Sequence, residues 1–223
     1  MKRFSLNQVP DQYAPFIQEH QKLYSSISQE MVLEIYAPGE VIIDAFKPID
    51  YLRYMLVGKA KILLVHENGN QSIVHFVPPG EFLGELTFLK AENPHKHVAA
   101  IGQCLFLSVP MDKALTTLSK DSVFLYNLAH IVGMKLEFRT KVNTKNQNYP
   151  LKNRLAAYIL TSEHKGIYKE KHTETAEYLG VSYRHLLYTI KEFLDEGTIY
   201  RAKGHYLLNK EALKNYAYGI EVI

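Results

Sequence analysis

The feature that most constrains this chain is a change of texture along its length. From Val32 to Val109, short apolar runs rich in Val, Ile, Tyr and Phe are separated by turn signals at Pro38-Gly39, Lys47-Pro48, Gly58, Asn68-Gly69-Asn70 and Pro78-Pro79-Gly80. Runs this short between turns this regular read as antiparallel β-structure, a β-roll or jelly roll. The runs YLRYMLVGKAKILLV and QSIVHFV flank HENGN, whose Asn-Gly and Gly-Asn steps supply the positive φ that tight hairpins need. Ahead of this region, residues 1–30 mix polar and apolar positions at helical spacing around Pro10 and Pro15, which predicts short helices.

After Pro110 the pattern turns helical, because Met111 to Asn146 contains no Pro and one Gly. Phe124, Leu128, Ile131, Lys135, Phe138 and Val142 recur at alternating steps of four and three, the heptad spacing of a helix–helix seam. Leu125, Val132 and Leu136 widen the stripe, so one edge is expected on the β-roll and the other on a second copy of the chain, the bland alternative being a helix packed only on its own β domain. Lys135 fits a seam only if its stem is buried and its amine reaches an edge. The polar KNQNYP stretch reads as a hinge, and Pro150 presets the first turn of the next helix, with Leu151, Leu155, Tyr158 and Ile159 on one face. The expected organisation is α+β: a sensing β-roll with N-terminal helices over 1–110, a dimerisation helix over 111–146 and a third domain over 147–223. Dimer contacts are expected through residues 121–146.

Residues 173–199, TETAEYLGVSYRHLLYTIKEFLDEGTI, carry the most specific spacing. Ala176 and Leu179 share a face of a short helix, Gly180 permits a sharp turn, and Ser182 can cap a second helix that buries Leu186, Ile190, Phe193 and Leu194. The turn is expected to need Gly180 because a β-carbon would clash there. This is helix-turn-helix spacing, and the two short strands around Lys203-Gly204 add a wing. Ser182, Tyr183, Arg184, Tyr188 and Lys191 are left facing outward. Arg184 can pair with a guanine through two hydrogen bonds, Ser182 and Lys191 can hold phosphates, and tyrosines can touch thymine methyls or backbone oxygens. The bland alternative is a protein-interaction module with an incidental basic face.

Composition bounds the rest. With 47% hydrophobic and 22% charged residues the chain is an ordinary globular one. Residues 1–149 hold 15 basic and 14 acidic groups and residues 150–223 hold 11 and 9, so nucleic acid would have to be met by a locally basic surface. One cysteine, Cys104, excludes an intrachain disulfide and a four-Cys iron–sulfur or zinc site, and points to a reducing compartment. No window approaches ~18 consecutive apolar residues and the first residues lack a signal-peptide core, so the expected location is the cytoplasm, without a membrane partner.

A β-roll, a long helix and a winged helix-turn-helix in this order resemble the CRP/FNR family of bacterial transcription regulators over nearly the whole chain. FLGEL at 82–86 is similar to the start of that family's phosphate-binding cassette, and NRLAAYIL and AEYLGVSYRHLLY resemble its YeiL-like branch. The resemblance implies a homodimer on double-stranded DNA, RNA polymerase as a partner if it activates, and an effector at the β-roll. It implies Gly84, Glu85 and Leu86 for the cassette, with Arg139 and Thr140 near a nucleotide base by an ungapped count back from Arg154. The segment Asn93-Pro94-His95-Lys96-His97 departs from the family, since His95 stands where a phosphate-binding Arg follows Pro. An imidazole is a poor substitute for a guanidinium fork, which argues against a cyclic nucleotide unless Lys96 supplies the charge. The effector is otherwise unnamed, and the absence of N-terminal cysteines excludes the family's iron–sulfur mode.

Three further readings bear on function. A regulator of the same fold that needs no ligand is compatible with the altered cassette. A cupin-type metal enzyme with a DNA-binding tail would use His95 and His97 with His66 or His75, but a Glu and a third His at matching depth are missing, so neither a metal site nor an enzyme is expected. Cys104, in the apolar run CLFLSV, reads as a small buried hydrophobe rather than a reactive thiol.

Overall fold

A computed structural model of the chain describes residues 1–20, 27, 29–65, 71–91 and 96–220, and within them every side chain but those of 142–147. The Asn68-Gly69-Asn70 turn, His66, His95 and the side chains of Val142 and Asn146 therefore lie outside the described residues.

The strands are β1 (Lys2–Ser5), β2 (Val32–Tyr36), β3 (Val41–Ile43), β4 (Tyr51–Val57), β5 (Ala60–Val65), β6 (Gln71–Val77), β7 (Phe82–Leu83), β8 (Lys96–Ala100), β9 (Cys104–Pro110), β10 (Ile167–Tyr168), β11 (Ile199–Ala202) and β12 (His205–Leu208). The helices are α1 (Ala14–His20), α2 (Glu85–Phe88), α3 (Met111–Thr117), α4 (Ser122–Asn148), α5 (Leu151–Ser162), α6 (His172–Tyr178), α7 (Tyr183–Asp195) and α8 (Lys210–Tyr216). Sheet orders are β1-β2-β9-β4-β7, β3-β8-β5-β6 and β10-β12-β11. The chain divides into two compact units, Met1–Ile62 with Val77–Glu137 and Leu63–Phe76 with Phe138–Ile223, so that α4 contributes to both.

In the first unit, β9 (CLFLSVP) is buried along almost its whole length and pairs antiparallel with β2 on one side and β4 on the other. Such two-sided burial explains its near-continuous apolar sequence. One core gathers Leu33, Leu52, Phe82, Leu105, Leu107 and Phe124, and a second gathers Ile43, Met55, Val77, Val98, Cys104 and Phe106. Two charges sit inside. Glu34 is 0% exposed and Arg53 2%, and the Glu34 carboxylate accepts from Arg53 Nε at 2.8 Å, Ser108 Oγ at 2.7 Å and Arg3 at 2.7 Å. Burial would lower the affinity of Arg53 for its proton, and Glu34, Tyr36 and Asp50 outweigh it, raising the pKa.

Three expectations are corrected. The N-terminus opens on a strand, β1, before its short helices; β1 is mostly exposed and is held by pairing with β2 and by the Arg3–Glu34 ion pair, contacts no local pattern reveals. Helix 111–146 is not continuous: α3 ends in a short 3-10 turn at Leu118–Lys120, and Asp121 Oδ1 starts α4 by accepting from the Val123 and Phe124 N–H groups, both at 3.0 Å. KNQN does not break the helix, which runs through Asn148.

The edge of the α4 stripe expected on the β-roll packs there, and it holds the heptad positions themselves. Phe124 and Leu128 are buried and Ile131 half-buried against the first unit's own core, where Phe124 packs edge-on against Phe82 and Phe88. Lys135, 9% exposed, is buried on that same face. The face turned away carries Tyr126, Ala129, Gly133 and Leu136, all exposed and spaced by three, four and three.

Candidate functional site

The second unit builds a winged helix-turn-helix from local signals. Between α6 and α7, Gly180 holds φ at +64°. No atom lies within 4 Å of where its β-carbon would be, so the conformation requires glycine, not the space, which corrects the expected clash. Ser182 caps α7 by accepting from the His185 N–H at 3.2 Å. Arg154 on α5 fixes the turn from behind, donating to the Leu179 carbonyl at 2.6 Å and the Tyr149 carbonyl at 3.0 Å. Beneath α6, the Tyr168 hydroxyl meets Thr175 Oγ1 at 2.8 Å, and Phe76 packs edge-on against Tyr158 and Tyr178. Burial drives the Tyr158 and Tyr168 hydroxyls well above the usual phenol range, so both remain neutral hydrogen-bonding groups.

This scaffold orients α7. Leu186, Thr189, Ile190 and Phe193 are buried, with Leu194 half-buried rather than buried. Ser182, Tyr183, Arg184, Tyr188 and Lys191 are all exposed, and the sequence reading missed His185 and Leu187, exposed among them. Their position beside Arg184 at the helix start was the available signal. Arg184 and Lys191 form no ion pair among the described residues. The wing follows, β11 pairing with β12 from Ile199↔Leu208 to Ala202↔His205 around Gly204 at φ +76°.

The effector candidates divide. Gly84, Glu85 and Leu86 come together at the β7–α2 junction of the first unit. Gly84 has φ +86°, and a β-carbon there would meet the Tyr51 carbonyl at 3.0 Å and Ile49 at 3.1 Å. The Glu85 carboxylate is buried and accepts from Lys135 Nζ at 3.0 Å; the same amine meets Glu81 at 3.0 Å. Lys96 is half-buried at the start of β8, and His95 lies outside the described residues. Arg139 and Thr140 belong to the second unit. There Arg139 Nε is buried without a hydrogen-bond partner among the described residues, and its charge partly offsets the burial that raises the Tyr178 pKa.

Cys104 is fully buried, donates from Sγ to the Lys59 carbonyl at 3.1 Å, and has its thiol pushed up to about 11 by burial. Among the described residues no cluster of His, Cys, Asp and Glu has metal-binding geometry, and no helix is long and apolar enough to cross a membrane.

An antiparallel β-roll, a helix with an exposed apolar face and a winged helix-turn-helix together define the class of a two-part transcription regulator. The family model of the cyclic nucleotide-binding domain matches residues 33–121. Over 195 residues the chain is 35% identical to the regulatory protein YeiL of Escherichia coli O157:H7, covering 86% of this chain and 89% of that protein. It belongs to the CRP/FNR family of transcription regulators, in the branch of YeiL. Similar folds include a structure described as a CRP/FNR-family regulator from Eubacterium rectale, with a TM-score of 0.68 at 14% identity, covering 93% of this chain and 99% of that one. A CRP/FNR-family regulator from Thermus thermophilus gives a TM-score of 0.63 at 24% identity, covering 85% of this chain and 100% of that one. These relatives are regulators, not enzymes, which sets aside the cupin reading.

Proposed function

We propose that the chain is a cytoplasmic, homodimeric regulator that binds double-stranded DNA in a sequence-specific way through α7, and that meets RNA polymerase if it activates. The observation that carries this reading is the two-sidedness of α7: one face is buried to the backbone, and the other offers Ser182, Tyr183, Arg184, Tyr188 and Lys191 to an outside partner. Two such helices fit successive major grooves about 34 Å apart on a near-palindromic site. The dimer seam we infer is Tyr126, Ala129, Gly133 and Leu136, within the 121–146 segment, since burying that face would remove exposed apolar surface of 75% for Tyr126 and 67% for Leu136. A functional division at residues 110 and 146 goes with this reading, the β-roll sensing and the winged unit reading DNA. Selection of bound duplexes from a random pool tests it: recovered sites with half-site symmetry support it, and recovery of no site sinks it.

A second reading is favoured by one contact. In the family's cyclic-nucleotide binders the cassette Glu meets the ligand's ribose, whereas here Lys135 already occupies Glu85. Together with His95 in place of an Arg, this does not fit a cyclic phosphate, and it supports a regulator that works without that ligand. Another effector would be read in the first unit by Gly84, Leu86 and Lys96. Thermal shift with cyclic nucleotides discriminates, because a ligand bound only by the folded form must raise Tm.

A further inference from the structure

Lys135 stands where α4 passes from one unit to the other. It is the last of the described α4 residues to be buried; Leu136 and Glu137 are exposed, and the second unit begins at Phe138. Its amine meets three acceptors from one short segment: Glu81 and Glu85, each at 3.0 Å, and the Phe82 carbonyl at 3.5 Å. An ammonium has three hydrogens, so this cradle offers an acceptor to each. The cradle is itself fixed by β4. The Met55 N–H donates to the Glu81 carbonyl at 2.9 Å, and Arg53 and Tyr54 pair with Leu83 and Phe82.

We propose that Lys135 is a positioning residue for DNA reading: its amine is a built-in occupant of the 81–85 cradle and holds α4 in the register from which the second unit can bind a duplex. The proposal rests on the reading of a regulator that needs no cyclic nucleotide, and names what takes that ligand's place. The apolar stripe alone does not fix the helix, because Phe124, Leu128 and Ile131 make non-directional contacts that tolerate a small rotation or slide. A buried amine shared by two carboxylates tolerates neither, since displacement leaves charge unpaired in the interior. Its place at the exit of α4 from the first unit gives it control of the part of the helix that belongs to the second.

Loss of such a clamp has a distinct signature. Without it α4 samples several registers, and only the fraction in the competent one binds. Every duplex is then weakened by the same factor. Base preference and salt dependence, which are set by contacts made in the competent state, stay as they are.

The experiment uses the full-length protein and the duplex it selects, below the Tm of each variant. Lys135→Ala deletes the atoms of propylammonium, so that cation is the probe. The variant is expected to bind about tenfold more weakly, a competent fraction of roughly one tenth, with base preference and salt slope unchanged. Propylammonium chloride at tens of millimolar should raise its Tm and restore its affinity, and sodium chloride at equal ionic strength should do neither. Lys135→Met combined with Glu85→Gln, which regains stability without the amine, should still bind weakly. If that double variant regains both Tm and affinity, Lys135 only stabilises and the proposal is overturned. The same holds if propylammonium raises the Tm of Lys135→Ala but leaves its affinity low, or if folded Lys135→Ala binds as tightly as wild type. Wild-type protein that selects a duplex only when a cyclic nucleotide is present overturns the ligand-free reading instead, and wild-type protein that selects none overturns the regulator reading.

Discussion

The β-roll and the recognition helix use charge in opposite ways. In the β-roll, Glu34 on β2 and Arg53 on β4 are buried on the two strands that flank β9, and Glu85 and Glu81 share the buried amine of Lys135, so each charge is committed inside the chain. On α7, Arg184 and Lys191 stand in solvent without an ion-pair partner among the described residues. A buried charge without a partner costs several kcal/mol, whereas an exposed one costs almost nothing and remains available to another molecule. The difference separates residues that hold the fold from residues that can act on something else.

The sharpest way to break this contrast is to remove a buried charge. Arg53→Met keeps the volume but takes from Glu34 its most buried cation, and should destabilise the first unit by about 3–5 kcal/mol in urea unfolding. A loss below about 1 kcal/mol would mean that Arg3, Ser108 and Tyr36 satisfy Glu34 by themselves. Lys135→Met should cost less, about 2–3 kcal/mol, because its amine lies nearer the surface. Adding Glu85→Gln should restore part of that loss, since the double variant no longer buries Glu85 as a charge. Additive losses instead would show that the two side chains do not depend on each other.

Those contacts also mark where the sequence stopped being informative. The helix-turn-helix was legible because its determinants are local: the φ that Gly180 must adopt, the Ser182 cap and the spacing of Leu186, Ile190 and Phe193 all lie within one short stretch of chain. β1 was not legible, because what makes Lys2–Ser5 a strand is its pairing with β2 and the ion pair with Glu34, both distant in sequence. The α4 stripe was read with the right period and with one edge on the β-roll, where Phe124, Leu128 and Ile131 do pack; periodicity finds a buried face but not which of its positions go to which partner. Lys135 was read as fitting a seam only with a buried stem and an amine at an edge; the stem is buried, but the amine is paired with Glu81 and Glu85, which nothing local could name. Asp121 as the start of α4 was available in the sequence, as an Asp ahead of an apolar run, and was passed over.

On the exposed side of the contrast, Arg184→Ala should leave stability within about 0.5 kcal/mol of wild type. It should instead cost about 1–3 kcal/mol of discrimination at one base pair per half-site, read as a loss of preference at that position in selected duplexes. Equal weakening on every sequence would make Arg184 a phosphate contact, and a loss of Tm would place it among the structural charges.

The smallest expected effect decides which face of α4 belongs to a second copy. Gly133 is exposed, and a β-carbon there would have no atom of its own chain within 4 Å. In a monomer, Gly133→Ala should therefore stabilise α4 by about 0.5–1 kcal/mol, the ordinary gain of alanine over glycine in a helix interior. If Tyr126, Ala129, Gly133 and Leu136 form the seam, the added methyl points at the facing helix, and dimer dissociation measured by sedimentation should become easier even as each chain gains helix stability. Leu136→Glu should weaken the dimer more strongly by placing a charge in the same seam. A Gly133→Ala protein more stable at every concentration, with an unchanged dimer, would move the seam to Val123 and Met134, the other large apolar side chains exposed on the helix among the described residues.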